Sequence, residues 1–206
     1  MLKNKITKMM MVLAMAGTLA SGPVSTCAMI VTDVPAVCAE VGTAKKASSK
    51  LTAKKGLAKM KEKLGKSYLC DKKMSKADAI SYFGLNKKKV TQAVYEVNSN
   101  GSLKMDVAVI LKVKKGYAKT ARKLLQKSLD QTVSYSKMYD MDSYRVQQAR
   151  IYVKGNYVAM FIGGTEPDYK LSAQKQAAHA KSEAQKFDKA WKEVFGGTAK
   201  NYAEVN

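Results

Sequence analysis

Histidine occurs once in the 206 residues, tryptophan once, and cysteine and proline three times each. A zinc site of several His and Cys ligands, or a triad that sets His beside a nucleophile, has almost nothing to draw on. Arginine is scarce as well: Arg122, Arg145 and Arg150 are the only ones, although Lys and Arg together number 37. Acids number 16, so the formal net charge is +21. The charge is therefore lysine charge, suited to diffuse attraction of anions rather than to the bidentate phosphate contacts of arginine. No apolar run reaches the roughly 20 residues that span a bilayer. What is present, 46% hydrophobic residues with 8% aromatics, is the composition of a globular domain with extensions.

The N-terminus reads as an export signal. Lys3, Lys5 and Lys8 make a charged start, Met9 to Ala20 is a short apolar stretch, and Ser21-Gly22-Pro23 breaks it. Small residues before the bond favour a cut after Ala39, with a cut after Ala28 as the alternative. Val24-Ser25-Thr26-Cys27 also has a lipobox outline, which ranks last because Thr26 is a poor residue before a lipidated cysteine. Cleavage after Ala39 leaves Cys70 alone; cleavage after Ala28 leaves Cys38 and Cys70, which an oxidising compartment could pair. Cys70 itself reads as a small packed residue rather than a reactive thiol. The expected location is secreted and extracytoplasmic, at the cell wall or membrane surface, with no transmembrane helix in the mature chain.

Residues 40–50 are small, basic and without periodicity, a flexible leader. A helical pattern follows from Ser49, with Leu57, Met60, Leu64 and Tyr68 on one side. Ser75 and Asp78 open a second helix in capping-box style, which Gly84 ends. Val90–Val97 reads as a strand, Asn98–Gly101 as a turn, and Leu103–Val113 as a strand with Val107, Val109, Leu111 and Val113 inward and Lys104, Asp106 and Lys112 in water. Residues 116–136 form a long amphipathic helix. Arg145–Lys154 and Tyr157–Ile162 make a second hairpin about Gly155-Asn156. Ser172 caps a final helix that runs to Phe195, with Ala173, Ala177, Ala180, Ala184, Phe187, Trp191 and Val194 along one seam. The expected fold is α+β in the order α-α-β-β-α-β-β-α: a four-stranded, mostly antiparallel sheet of two hairpins with helices packed on one face. Its parts are a signal peptide (1–39), a leader (40–50), an α+β domain (51–165) and a C-terminal helical extension (166–206).

The strand DVAVILKVKKG, the helix with ARKLLQKSLDQ and the hairpin ARIYVKGNYVAMFI resemble a family of exported Gram-positive bacterial proteins, the domain of unknown function numbered 4358. The resemblance spans about residues 51–165 and includes Tyr82-Phe83-Gly84-Leu85 at a Tyr-Gly-like stretch. It implies a secreted or surface-held α+β domain with no assigned activity, and it supplies no catalytic residues. Many members look acidic where this chain is basic, and the helix after Pro167 looks like an addition.

No catalytic, cofactor or metal set emerges. His179 sits mid-helix without a nucleophile. Asp140 and Asp142 lack the further oxygen ligands and the turn glycine of a calcium loop. Gly163-Gly164 and Gly196-Gly197 read as terminators rather than phosphate loops. Charge stands out instead. Lys45, Lys46, Lys50, Lys54, Lys55, Lys59, Lys61, Lys63, Lys66, Lys72, Lys73 and Lys76 share their stretch with just Glu62 and Asp71. These lysines are the candidate contact to an anionic cell-wall polymer or membrane surface. The expected function is a non-enzymatic secreted domain held at the envelope by that segment. A small extracellular wall or polysaccharide hydrolase using the loop carboxylates is the alternative, and a nucleic-acid binder ranks third for want of arginine and interleaved aromatics. The sheet or the last helix remains open to a protein partner.

Overall fold

A computed structural model describes residues 51–100, 105–139 and 142–205. The signal peptide, the leader, Cys27, Cys38, Lys45, Lys46, Lys50, Gly101, Leu103, Lys104 and Asp140 lie outside the described residues.

The first helix, α1 (Ala53–Leu64), begins one turn later than Ser49, at Thr52, whose side chain accepts the Lys55 amide. Ala53, Gly56, Leu57, Met60 and Leu64 repeat at helical spacing and are buried. Tyr68 falls beyond the helix, after a 3-10 turn at Gly65–Ser67. A short strand, β1 (Lys72–Met74), comes next and was not expected. Its Lys-Lys-Met sequence offers no alternation to read, and its exposed lysines suit a sheet edge. In α2 (Lys76–Tyr82) the capping box forms as expected: the Asp78 amide donates to Ser75 Oγ at 3.0 Å and the Ser75 amide to Asp78 Oδ2 at 2.8 Å.

The sheet continues with β2 (Val90–Val97) and β3 (Val107–Val113), then the long helix α3 (Ala118–Tyr139). Residues 145–149 depart from the expected strand, which ran from Arg145. A single helical turn, α4 (Ser143–Val146), precedes β4 (Arg150–Lys154), because Val146 and Ala149 are buried three residues apart, the spacing of a turn rather than of a strand. Strand β5 (Tyr157–Ile162) and helix α5 (Ala173–Phe195) fall where the sequence puts them, the helix capped by Ser172. The sheet thus has five strands rather than four, in the order β1-β2-β3-β5-β4, and every pair is antiparallel. The element order is α-β-α-β-β-α-α-β-β-α.

Helices pack on both faces rather than one. Val109, Leu111 and Val113 of β3, with Ile151, Val158 and Met160, face α2 and α3 over one core that includes Leu125 and Leu129. The alternate positions Ala108, Ile110, Tyr152, Ala159 and Phe161 are also dry and face α1 and α5. The Asp106 face of β3 is therefore not in water, and Asp106 itself is buried. The last helix closes this second layer. Its inner half uses Ala180, Ala184, Phe187 and Trp191, while Ala173 and Ala177 of the expected seam stay exposed. The Trp191 ring stacks between Tyr152 (4.9 Å) and Phe195 (4.0 Å). Helix α5 belongs to the same compact unit as the sheet.

The α1–α5 contact is close enough to require glycine. A Cβ at Gly56 would stand 2.5 Å from the tip of the Phe195 ring. Gly56→Ala is expected to lower stability by about 1–3 kcal/mol, the range for overpacking a tight contact, and a denaturant melt measures it. A Gly56→Ala protein as stable as the parent would mean that the two helices do not meet this closely.

Candidate functional site

The most deeply buried charges lie at one end of the sheet, and three chain segments build them. The β3 entry supplies Asp106, the loop before α4 supplies Asp142, and α4 supplies Arg145, whose side chain is 1% exposed. The guanidinium uses its whole donor fork. Nη1 donates to Asp106 Oδ1 and to the Gly164 carbonyl, both at 2.8 Å, and Nη2 reaches Asp106 Oδ2 at 3.2 Å. Nε donates to Asp142 Oδ1 at 3.1 Å, and Nη2 also donates to Asp142 Oδ2. Asp142 holds a left-handed φ of 50° and accepts the Met105 amide at 3.1 Å, which ties this loop to the β3 entry. Burial pushes the Asp106 carboxyl above its ordinary value, with the Arg145 charge and the Asn98 amide pulling the other way. A buried carboxylate of this kind is tolerable only beside a paired cation. Among the described residues, no buried side-chain nitrogen or oxygen lacks a hydrogen-bond partner.

A second polar knot secures the end of β5. Gly164 has φ of +107°, and a Cβ there would stand 2.6 Å from the Glu183 Cβ, so α5 approaches bare backbone. The Gly164 amide donates to the Ser67 carbonyl at 3.1 Å, and the Thr165 amide to Glu183 Oε2 at 2.9 Å. Burial raises the Glu183 carboxyl, but hydrogen bonds from Lys186, the Thr165 amide and Ser67 prevail and hold it down at about 2. Gly163-Gly164 is thus more than a terminator: it is the point where three segments meet. His179 contacts Thr165 through Nε2, 3.0 Å from the hydroxyl, an α5-to-loop tie. Beside this end, Asp142, Tyr144, Glu166, Tyr169 and Gln176 border an open cleft of about 400 Å³.

Cys70 is buried, and desolvation, followed by the nearby Asp106 and Glu96 charges, pushes its thiol well above the ordinary value. Such a thiol is a packing residue. Its neighbour Tyr68 donates to Glu96 Oε2 at 2.9 Å, and Lys61 reaches the same oxygen at 2.8 Å. Among the described residues no group of His, Cys, Asp and Glu is placed to hold a metal ion, and no helix is long and apolar enough to cross a membrane.

The structure distributes the candidate lysines over several faces. Lys54 and Lys55 stand on the first turn of α1, and Lys59 is exposed midway along it. Lys61 and Lys63 form ion pairs with Glu96 and Glu193. Lys66 lies at the far end of α1, Lys72 and Lys73 line the β1 edge, and Lys76 donates to the Thr91 carbonyl at 3.0 Å. The described ones, from Lys54 on, are carried by α1, β1 and the segments that join them, which are docked parts of the fold. The Asp106–Arg145 pair and the Glu183 knot were missed at the level of sequence. A lone acid in an alternating strand reads as solvent-facing, and the one signal against that reading is the apolar Ala108 and Ile110 on its own face.

The arrangement is an α+β domain with a five-stranded antiparallel sheet between two helical layers, its polar groups locked into structural ties. Residues 66–163, just under half of the chain, match the family described as Domain of unknown function (DUF4358). The match begins past α1, narrower than the stretch from residue 51 anticipated from the sequence, so α1 and α5 both lie outside it. No curated protein and no solved structure matches the chain.

Two outcomes test the polar ties. Arg145→Met is expected to cost about 3–5 kcal/mol by stranding Asp106, and Asp106→Leu combined with Arg145→Met to cost less than Arg145→Met alone; chemical denaturation of both variants decides. For Glu183 the folded value lies below the ordinary 4.5. Its stabilisation is therefore full above about pH 4.5 and lost as pH falls towards 2. Glu183→Gln should flatten the fall of melting temperature across that window, and an unchanged slope would remove the assignment.

Proposed function

We propose that this is an exported, non-enzymatic domain retained at the cell envelope by electrostatic attraction between its lysines and anionic wall polymers or lipid headgroups. The observation that carries the reading is the exposure of Lys54, Lys55, Lys59, Lys66, Lys72 and Lys73 on a folded surface, in a chain of net charge +21. A cut after Ala39 would remove three lysines and Asp33, leaving 34 cationic against 15 acidic side chains, so export does not spend the charge. Lysines on a rigid helix face lose less conformational freedom on binding than lysines on a loose tail, which favours retention. The hydrolase reading is weaker. Asp142, the described member of the loop pair, commits both carboxylate oxygens to Arg145, which leaves it poorly placed to activate water.

Attraction of this kind is screened by salt, with a Debye length of about 8 Å at physiological ionic strength. Washing intact producing cells with rising salt is therefore expected to release the protein in a step at a few hundred millimolar. Release complete in low-salt buffer, or a cytosolic product that retains Met1, would overturn the reading.

A further inference from the structure

The fold brings together lysines that the sequence keeps far apart. The start of β2, the end of β3 and the β4–β5 turn all reach one end of the sheet, opposite Arg145. There the Lys114 amide donates to the Lys89 carbonyl at 2.8 Å, and the Val113 amide to the Asn156 carbonyl at 2.8 Å. The Asn86 amide donates to the Tyr117 hydroxyl at 3.0 Å, which pins the segment before β2 against the start of α3. The chain enters α1 at this same end, where the Tyr157 hydroxyl donates to the Leu51 carbonyl and the Ala53 amide donates to Gln92 Oε1. Lys87, Lys88, Lys89, Lys114, Lys115 and Lys154 all stand exposed here. Lys54 and Lys55 flank them on α1, and Lys119 on the first turn of α3.

Among the described residues, no ion pair joins these lysines to a carboxylate. Residues 51–61, 84–95, 107–129 and 151–165 contain no Asp or Glu. The acids Asp71, Asp106, Asp142 and Glu166 come instead to the opposite end, around Arg145 and its cleft. The molecule is therefore polarised along its strands, positive at one end and carboxylate-rich at the other. Like charges crowded on one end repel one another, and an anion laid across them relieves that repulsion.

We infer that this end is the docking surface for a linear polymer of linked phosphates, an inference that rests on the polyanion reading above and gives it a location. Three observations select a chain of phosphates over other anions. The cations are lysines, point charges that match spaced phosphates without demanding a fixed fork geometry. The clefts of about 400 Å³ lie elsewhere, beside Asp142 and along α3 at Tyr135, where an enclosed site for a compact phosphate would be sought. The large apolar side chains exposed among the described residues are Tyr82, Tyr135, Met138, Tyr139, Tyr169 and Leu171, none of them in the segments that build this end. A surface that settles on a bilayer normally adds apolar side chains to its charge, and this one offers none.

The test titrates the protein with long-chain inorganic polyphosphate, with orthophosphate and phosphatidylglycerol vesicles as parallel arms. Two variants remove the same charge: Lys87→Gln/Lys88→Gln/Lys89→Gln at the basic end, and Lys170→Gln/Lys175→Gln/Lys181→Gln, exposed before and along the first half of α5. Their melting curves check that both fold. The basic-end variant is expected to bind polyphosphate at least about tenfold more weakly. Its slope of log affinity on log salt should fall by about 2, at roughly 0.7 per lost contact. The other variant should lose less than about threefold. Equal losses would mean that net charge alone acts, which overturns this location and leaves the polyanion reading standing. A larger loss in the second variant would move the site to the start of α5 and overturn the inference too. Vesicles bound more tightly per phosphate than polyphosphate, or orthophosphate competing at equal phosphate concentration, would overturn the choice of a polymer. No binding of polyphosphate by the parent protein in low salt would remove the polyanion reading itself.

Discussion

Strands β3 and β5 occupy the middle of the sheet with both faces dry, and that constraint organises the molecule. Val109, Leu111, Val158 and Met160 must be covered on one side, Ala108, Ile110, Ala159 and Phe161 on the other. Each large side chain taken fully out of water contributes about 1.5–3 kcal/mol, so an uncovered second face would cost the fold a large part of its stability. Two helical layers follow. One comes from between the hairpins, as α3; the other must come from outside them, and α1 and α5 supply it from opposite ends of the described chain. The small residues Gly56, Ala180 and Ala184 let this second layer sit close, and the Tyr152–Trp191–Phe195 stack fills what remains.

Closing the second layer has an electrostatic consequence. It drives Asp106 out of water at the mouth of β3, where an unpaired carboxylate would cost several kcal/mol. The one-turn helix α4 answers by turning Arg145 inward, and the guanidinium's planar fork gathers Asp106, Asp142 and the Gly164 carbonyl at once. A lysine could not span these acceptors, which accounts for one of the few arginines in a lysine-rich chain. Glu183 does the equivalent for α5, holding the Thr165 amide and Lys186 across the bare backbone of Gly164. Asp106, Asp142 and Glu183 are thus consumed in structural ties, while Lys87, Lys88, Lys89, Lys114, Lys115 and Lys154 are left to face solvent. Polarity along the strands is a by-product of where the carboxylates were needed.

The family match falls on the sheet and the α2–α3 layer, whereas much of the second layer is built from residues beyond it. Lys87, Lys88, Lys89, Lys114, Lys115 and Lys154 lie inside the matched segment, and Lys54 and Lys55 before it. The positive end is accordingly composed by both parts of the chain.

Local chemistry was legible wherever it acts over a few residues. The Ser75–Asp78 box, the Ser172 cap, the stop at Gly196, the β2 and β5 bounds and the Gly155-Asn156 turn follow from hydrogen bonds and backbone preferences between near neighbours. Periodicity likewise marked α1, α3 and α5, because one buried stripe per helix is written at spacings of three and four. Tertiary structure alone decided the rest. Whether the Asp106 face of β3 is wet depends on α1 and α5, which lie far from it on either side in sequence, so no reading of the strand could settle it. The three-residue edge strand β1 exists only because β2 offers it partners. The same holds for the charges: twelve lysines close in sequence drew the eye to residues 45–76, yet charge acts through distance in space, and it is the antiparallel return of the strands that sets Lys89 beside Lys114.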